Sequence, residues 1–422
     1  MTASIDTTSP PAPDPSGPGG LVLRPLTMDD WPAAKALDGA AFSYHPENDF
    51  LDDLVLPTLE IGRFIGAFDP ALGHLLVGIA AIQSRDLTFP GRGPSPVAAV
   101  TWVGVRPDQQ RRGILRTLMT QQLHGLHRDR QEPVAILTAS EAGIYGRFGY
   151  GSATQTTRLT VSTPAVVRTG TRLEPVRQLD LDEALPIMKV LHSRVRAEIP
   201  GFLDRSEAVW SLLFSEHPAG RGGKDPRRFA VHHDGYVAYR TTSSWTDRGP
   251  DGTLTISELC ATTPVARASL WSHVLNYPLV RKVEYPKAWV DEPLPELLEN
   301  PRAVESSLGD HVWVRLVDLP RSLALRTYSA KADVTVRVVD DFCPWNDGTW
   351  RLALTADGGR ATPTAEAPEV TLGIADLGAT FLGGTRLPRL ALAGRVTGSA
   401  RGIDALDAAL AVTLAPLCPE GF

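Results

Sequence analysis

The segment Val103-Gly104-Val105-Arg106-Pro107-Asp108-Gln109-Gln110-Arg111-Arg112-Gly113-Ile114-Leu115-Arg116 carries residue types suited to binding a diphosphate. A β-rich run ends at Val105. Residues 108–128 then place Ile114, Leu118 and Leu115, Met119, Leu123 and Leu126 at three- and four-residue intervals, which predicts an amphipathic helix. A helix start leaves several backbone N–H groups unpaired and backed by the positive end of the dipole. Gly113 has no Cβ to hold phosphates away, and Arg111, Arg112 and Arg116 can add charge-assisted hydrogen bonds. An isolated Arg-Arg-Gly is an ordinary basic helix start. Behind a strand ending in Val-Gly-Val-Arg-Pro it reads as an anion cradle.

The turn resembles the Q/R-x-x-G-x-G/A pyrophosphate loop of the GNAT acetyltransferases. Gln110, Arg111, Arg112 and Gly113 match it, while Leu115 stands where Gly or Ala is usual. Together with the segment Ser140-Glu141-Ala142-Gly143-Ile144-Tyr145-Gly146-Arg147-Phe148-Gly149-Tyr150-Gly151 and the terminal Phe422, this resembles the enhanced intracellular survival (Eis) family. The resemblance implies a GNAT domain, a degenerate second GNAT domain and a sterol-carrier-protein-like C-terminal domain, an α/β (α+β) fold class. It implies acetyl-CoA as acetyl donor, lying against Val103, Gly104, Val105, Arg111, Arg112, Gly113, Ile114, Leu115, Arg116, Ser140 and Glu141. The backbone of Val103 and Val105 would pair with the pantetheine amides as an added strand does. Taken alone, these two valines are core strand residues and Ser140-Glu141 a helix cap.

Acetyl transfer to an amine needs a neutral nucleophile and a proton for the departing thiolate. Tyr145 is the candidate acid, since a phenol near pKa ~10 is protonated at neutral pH. The family resemblance gives the base as the C-terminal α-carboxylate, here that of Phe422. A carboxyl near pKa ~3.5 is a weak base, so it needs burial, a water, or an amine already partly deprotonated. The resemblance further implies multi-site acetylation of aminoglycosides, and a homohexamer. Protein-lysine acetylation and a non-catalytic lipid- or ligand-binding role are the alternatives. The acid that some members carry after Ala-Ser-Phe is replaced, because Ala41-Phe42-Ser43 runs into Tyr44-His45. Gly421 is penultimate, with Glu420 beside it.

The elements expected to position these groups begin with a strand at 21–26 and a helix from Thr27 to near Phe42. Strands follow at 61–68, 75–85 and 97–105, then the helix, then a strand at 133–139 and a sharp turn at 141–151. A weaker echo places strands at 229–240 and 254–260 before a helix at 264–275. Its strand-to-helix junction, Cys260 to Arg267, lacks the paired arginines and the glycine, so it is expected to bind no phosphate. From His311 a strand (311–317), a helix (320–328) and strands at 332–339, 349–355 and 369–374 predict a third, α+β domain. The expected division is 1–20 as a disordered tail, 21–162 as the catalytic domain, 163–305 as the degenerate copy and 306–422 as the sterol-carrier-like domain.

Composition bounds the remaining classes. With 422 residues, 43% hydrophobic and a net charge of −6, the chain can bury large cores and offers no dominant basic face for nucleic acid. No apolar run approaches the ~20 residues of a membrane span. Cys260, Cys343 and Cys418 are an odd number without metal spacing, read as reduced core thiols of a cytoplasmic protein. No metal site is expected: His232 and His233 should face opposite sides of a strand, with no carboxylate at ligand spacing. Gly222-Gly223-Lys224 is followed by Asp225 rather than Ser or Thr, so it is read as a surface loop and not a P-loop. The amine acceptor is expected to be a small molecule.

Overall fold

The computed structural model describes residues 16–17, 20–221 and 224–422. The expected N-terminal tail, apart from residues 16, 17 and 20, and Gly222-Gly223 lie outside them. The chain divides into two compact units: residues 1–46, 59–83 and 100–129 form the first, and residues 47–58, 84–99 and 130–422 the second.

In the first unit, β1 (Leu21–Pro25) pairs antiparallel with β2 (Phe64–Asp69), after α1 (Trp31–Ala41). Residues 61–63 form a 3-10 turn rather than the expected start of β2. β2 pairs antiparallel with the start of β3 (Leu75–Phe89). β4 (Gly93–Val105) leads through a 3-10 turn into α2 (Ile114–Arg128), which starts six residues later than the sequence period suggests. α2 seats its apolar stripe in a core of Leu21, Ala67, Val77, Ala80, Ile114 and Leu118. Gly78 makes that possible: a Cβ there would meet Ile114 Cγ2 at 2.5 Å.

In the second unit, β5 (Val134–Thr138) pairs with the start of β4 in parallel, at Ala98↔Ala135 and Ala99↔Ile136. α3 (Ala142–Tyr145) follows, then β6 (Gly151–Ser152). A second, seven-stranded sheet is built from β7 (Gln155–Ser162), β8 (Arg177–Leu179), β9 (Arg228–His232), β10 (Gly235–Thr242), β11 (Gly252–Ala261), β12 (Val280–Trp289) and β13 (Val304–Asp310), in the order β13-β7-β12-β11-β10-β9-β8. α4 (Leu181–Glu198), α5 (Glu207–Phe214) and α6 (Pro264–Leu275) belong to the same region. The single strand expected over 229–240 is a hairpin, because the chain turns at His233-Asp234.

β14 (Val312–Leu316), expected to open the C-terminal domain, instead lies between β5 and β6 and is antiparallel to both. Its apolar residues Val312, Val314 and Leu316 are fully buried, which only an interior strand position provides. Beyond it come α7 (Leu319–Leu323) and a five-stranded sheet of β15 (Ala332–Val339), β16 (Gly348–Thr355), β17 (Gly358–Pro363), β18 (Val370–Gly373) and β19 (Val396–Gly398), ordered β17-β16-β15-β18-β19. α8 (Ile374–Thr380), α9 (Leu387–Leu392) and α10 (Ala400–Leu410) accompany this sheet. One continuous core runs from Leu87 and Phe89 through β5 and β14 to these strands.

Candidate active site

The turn before α2 keeps the backbone that an anion needs. Arg111 and Gly113 both have left-handed φ, 64° and 81°. For arginine this conformation carries a strain on the order of 1 kcal/mol, the kind of local cost that clusters at functional turns. Gly113 is the N-cap residue of α2 and has no side chain to cap it, so the first-turn N–H groups are not answered from that position. A Cβ on Gly113 would meet no atom within 4 Å. The three arginines differ. Arg112 lies 2.8 Å from Asp69 and also bonds Gln109, so its guanidinium braces the turn, and its charge holds the Asp69 carboxyl below the usual range. Arg111 and Arg116 are exposed. Leu115 is half-buried.

The echo of this turn before α6 is built differently. Thr263 accepts a hydrogen bond from the Ala266 N–H at 3.2 Å, Pro264 has no N–H to offer, and Arg267 lies 2.6 Å from Glu292. A threonine cap, a proline and an ion-paired arginine thus stand where the first turn has a bare glycine and exposed arginines.

In the second unit, β5 delivers Ser140 and Glu141, both exposed, to the start of α3. Tyr145 ends that helix with only 7% of its surface exposed and packs edge-on against Tyr150. Burial, then the Glu141 charge, push its phenol above the ordinary value. Tyr145 is therefore a protonated donor throughout the neutral range. The glycines that follow it serve packing: a Cβ on Gly149 would stand 2.5 Å from Arg315 Nη1, and one on Gly151 would stand 1.8 Å from the Ala375 carbonyl oxygen. Arg315, fully buried, reaches Asp340 at 2.8 Å, which accounts for a charge beneath this loop. In the same unit, Thr138 at the end of β5 donates from Oγ1 to the main-chain oxygen of Phe422 at 3.3 Å.

Two features depart from the sequence reading. Glu420, an acid near the chain end that could have met a cationic substrate, is only 4% exposed and faces Arg85 and Arg205. Asp38, on α1, was not singled out, yet it is a buried carboxyl bonded to the Tyr44 hydroxyl at 2.6 Å, and burial raises its pKa. Its six-residue spacing from Tyr44 gave no pattern signal, because the two meet only where α1 ends and the chain folds back.

His232 and His233 also differ from expectation. Their rings are 4.1 Å apart because His233 belongs to the hairpin turn rather than to β9, and Glu174 Oε2 lies 3.1 Å from His232 Nε2 and 3.7 Å from His233 Nδ1. The spacing suits a metal, but the tautomer opposes it. The Asp234 N–H donates to His232 Nδ1 at 3.0 Å, so the neutral ring carries its proton on Nε2, the atom facing Glu174. Arg172 further neutralises that carboxylate from 2.5 Å.

Family models for an acetyltransferase (GNAT) domain match residues 22–153 and again residues 201–316, and a sterol carrier protein domain model matches residues 319–419. The N-acetyltransferase Eis of Mycobacterium tuberculosis is 33% identical over 410 residues, 93% of this chain and 97% of its own length. This chain belongs to the Eis family of GNAT N-acetyltransferases. An N-acetyltransferase of Streptomyces avermitilis is 33% identical over 95% of this chain and 99% of its own. Eis1 from Mycobacterium abscessus superposes with a TM-score of 0.83 at 32% identity, covering 95% of this chain and all of its own. The chain is thus an acetyltransferase with two GNAT domains and a sterol-carrier-like C-terminal domain, and GNAT acetyltransferases take acetyl-CoA as donor. Among the described residues, no helix is long and apolar enough to cross a membrane.

Proposed function

We propose that the chain moves the acetyl group of acetyl-CoA to amines of a small polycationic acceptor of the aminoglycoside kind, at more than one position. The observation that carries the chemistry is Tyr145, a buried and protonated phenol set directly behind Ser140-Glu141. The open left-handed Gly113, which gives the first turn of α2 no side-chain cap, supports binding of the cofactor's diphosphate, with Arg111 and Arg116 as its cations and Arg112 as a brace. By the family resemblance, the backbone of Val103 and Val105 pairs with the pantetheine amides, and Ile114, Leu115, Ser140 and Glu141 are its further cofactor-binding residues.

In the reaction the neutral amine attacks the thioester carbonyl carbon, forming the C–N bond. The C–S bond then breaks, and Tyr145 gives its proton to the departing thiolate. The amine's proton leaves to the α-carboxylate of Phe422, directly or through water. The net negative charge of the chain favours a cationic acceptor. The experiment follows thiol release from acetyl-CoA with kanamycin-like amines and with lysine peptides. Tyr145→Phe should lower kcat on the order of 100-fold with little change in KM. Residues added after Phe422 should damage activity. No turnover with any amine would end the enzyme reading, and faster turnover of peptides would move the acceptor to protein lysines. Light scattering tests the hexamer that the family resemblance suggests.

A further inference from the structure

A buried charge cluster that the reaction above does not use holds the end of the chain. Glu420 is only 4% exposed, so its carboxylate has little water and needs cationic partners. Arg85 Nη2 lies 3.3 Å from its Oε1, and Arg205 Nε 3.1 Å from its Oε2. Arg205 also sets its Nη1 and Nη2 on the two oxygens of Glu258, at 3.1 and 2.5 Å, a fork geometry that fixes the guanidinium in direction as well as position. The Tyr236 hydroxyl donates to the same Glu258 carboxylate. Arg85 is fixed from its other side by Asp204 Oδ1 at 3.0 Å. The chain leading to Glu420 is held by its backbone: Trp289 Nε1 donates to the Ala415 carbonyl at 2.8 Å, the Leu417 N–H to Pro200 at 2.9 Å, and His311 Nε2 to the Glu420 carbonyl at 2.8 Å.

Chain ends fray unless they are tied down. Here the last anchored side chain is two residues from Phe422, and only Gly421 separates them. Arg205, Tyr236, Glu258, Trp289 and His311 all lie in residues 201–316, the GNAT-like copy whose own turn before α6 carries a threonine cap, a proline and an ion-paired arginine.

We propose that Arg205, supported by Arg85 and Glu258, is a positioning residue that locks Glu420 and thereby holds Phe422 beside Thr138, and that this clamp is a task kept by the second GNAT-like domain. The inference rests on the reading that Phe422 carries the base. The clamp is tested separately from that reading by exposing the folded protein to carboxypeptidase A and following loss of Phe422 by mass spectrometry, beside kcat and KM.

Glu420→Gln should release Phe422 about tenfold faster than the parent and lower kcat by a similar factor, with the KM for acetyl-CoA unchanged. In a chain already lacking Phe422, Glu420→Gln should add no further loss of kcat. Should Glu420→Gln fail to fold, one glycine inserted after Gly421 leaves the cluster untouched and moves Phe422 by up to about 3.6 Å. It should lower kcat at an unchanged melting temperature. Equal release rates in Glu420→Gln and the parent would overturn the clamp. If the chain lacking Phe422 were inactive while the insertion and Glu420→Gln were both fully active, the base would stand and positioning would be refuted. Full activity without Phe422 would refute the base and, with it, the catalytic purpose of the clamp.

Discussion

Acidification should destabilise this protein from near pH 6.5 downward, and His192 should account for a measurable share. Its side chain sits on α4 against Phe202 and Trp210, only 3% exposed, and its Nε2 has no hydrogen-bond partner. Burial first, then the nearby Arg205 charge, lower its pKa from 6.5 to about 3. A depressed histidine binds its proton in the unfolded chain before it does so in the folded one. Its contribution is therefore fully present above pH 6.5, falls as the pH drops, and levels off below about 3. At pH 5 the unfolded histidine is almost wholly charged and the folded one neutral, a difference of roughly 1.5 pH units at about 1.4 kcal/mol each, or about 2 kcal/mol. Urea unfolding followed by tryptophan fluorescence at pH 8 and pH 5 measures this, and Trp210, 5.3 Å from the ring, reports locally. His192→Leu should lose less stability between the two pH values than the parent, by that amount. The raised carboxyl of Asp38 acts in the opposite sense but is common to both proteins, so it cancels. Equal losses in parent and variant would refute the assignment.

Gly113→Ala should raise the KM for acetyl-CoA by at least tenfold, because a methyl group would stand where the diphosphate approaches. The left-handed φ of 81° should remove about 1 kcal/mol of stability as well, read from thermal melting. Asp38→Asn removes the buried carboxyl while keeping an acceptor for Tyr44. Burial disfavours the ionised Asp38, so the variant should lose less stability than the parent between pH 4 and pH 8, as urea unfolding will show. Gly151→Ala drives a methyl to 1.8 Å from the Ala375 oxygen, so it should destabilise by about 3 kcal/mol or yield insoluble protein. Soluble, normally melting Gly151→Ala would mean that α8 can move away from β6.

Local chemistry explains what was legible in the sequence. The strand, the glycine without a Cβ and the helical stripe lie next to one another in the chain, so they could be read in order although α2 starts six residues later than its stripe suggested, and α6 was placed at its observed bounds. Tyr145 could be singled out because its motif is contiguous. Its burial could not, since Tyr150 and the element beneath it meet it only in the folded chain. The hairpin at His233 was missed for a related reason: the flanking residues are apolar on both sides of a two-residue turn with no glycine inside it, so the run looks like one strand. β14 was assigned to the wrong neighbourhood because its alternation predicts a strand without saying which sheet takes it.

The sequence by itself determined the family and the candidate chemistry: a turn of the kind expected to hold a diphosphate and its altered copy, a phenol in a contiguous motif, and two GNAT domains followed by a sterol-carrier-like one. These depend on short-range geometry, and a helix start or a turn has the same shape wherever the chain carries it. Tertiary structure decided how the charges are used. Arg112 meets Asp69 across 43 positions and Arg85 meets Glu420 across 335, so one arginine braces a turn and the other anchors a chain end. Residue type gives a side chain its charge, but burial and the partner brought to it decide what that charge does.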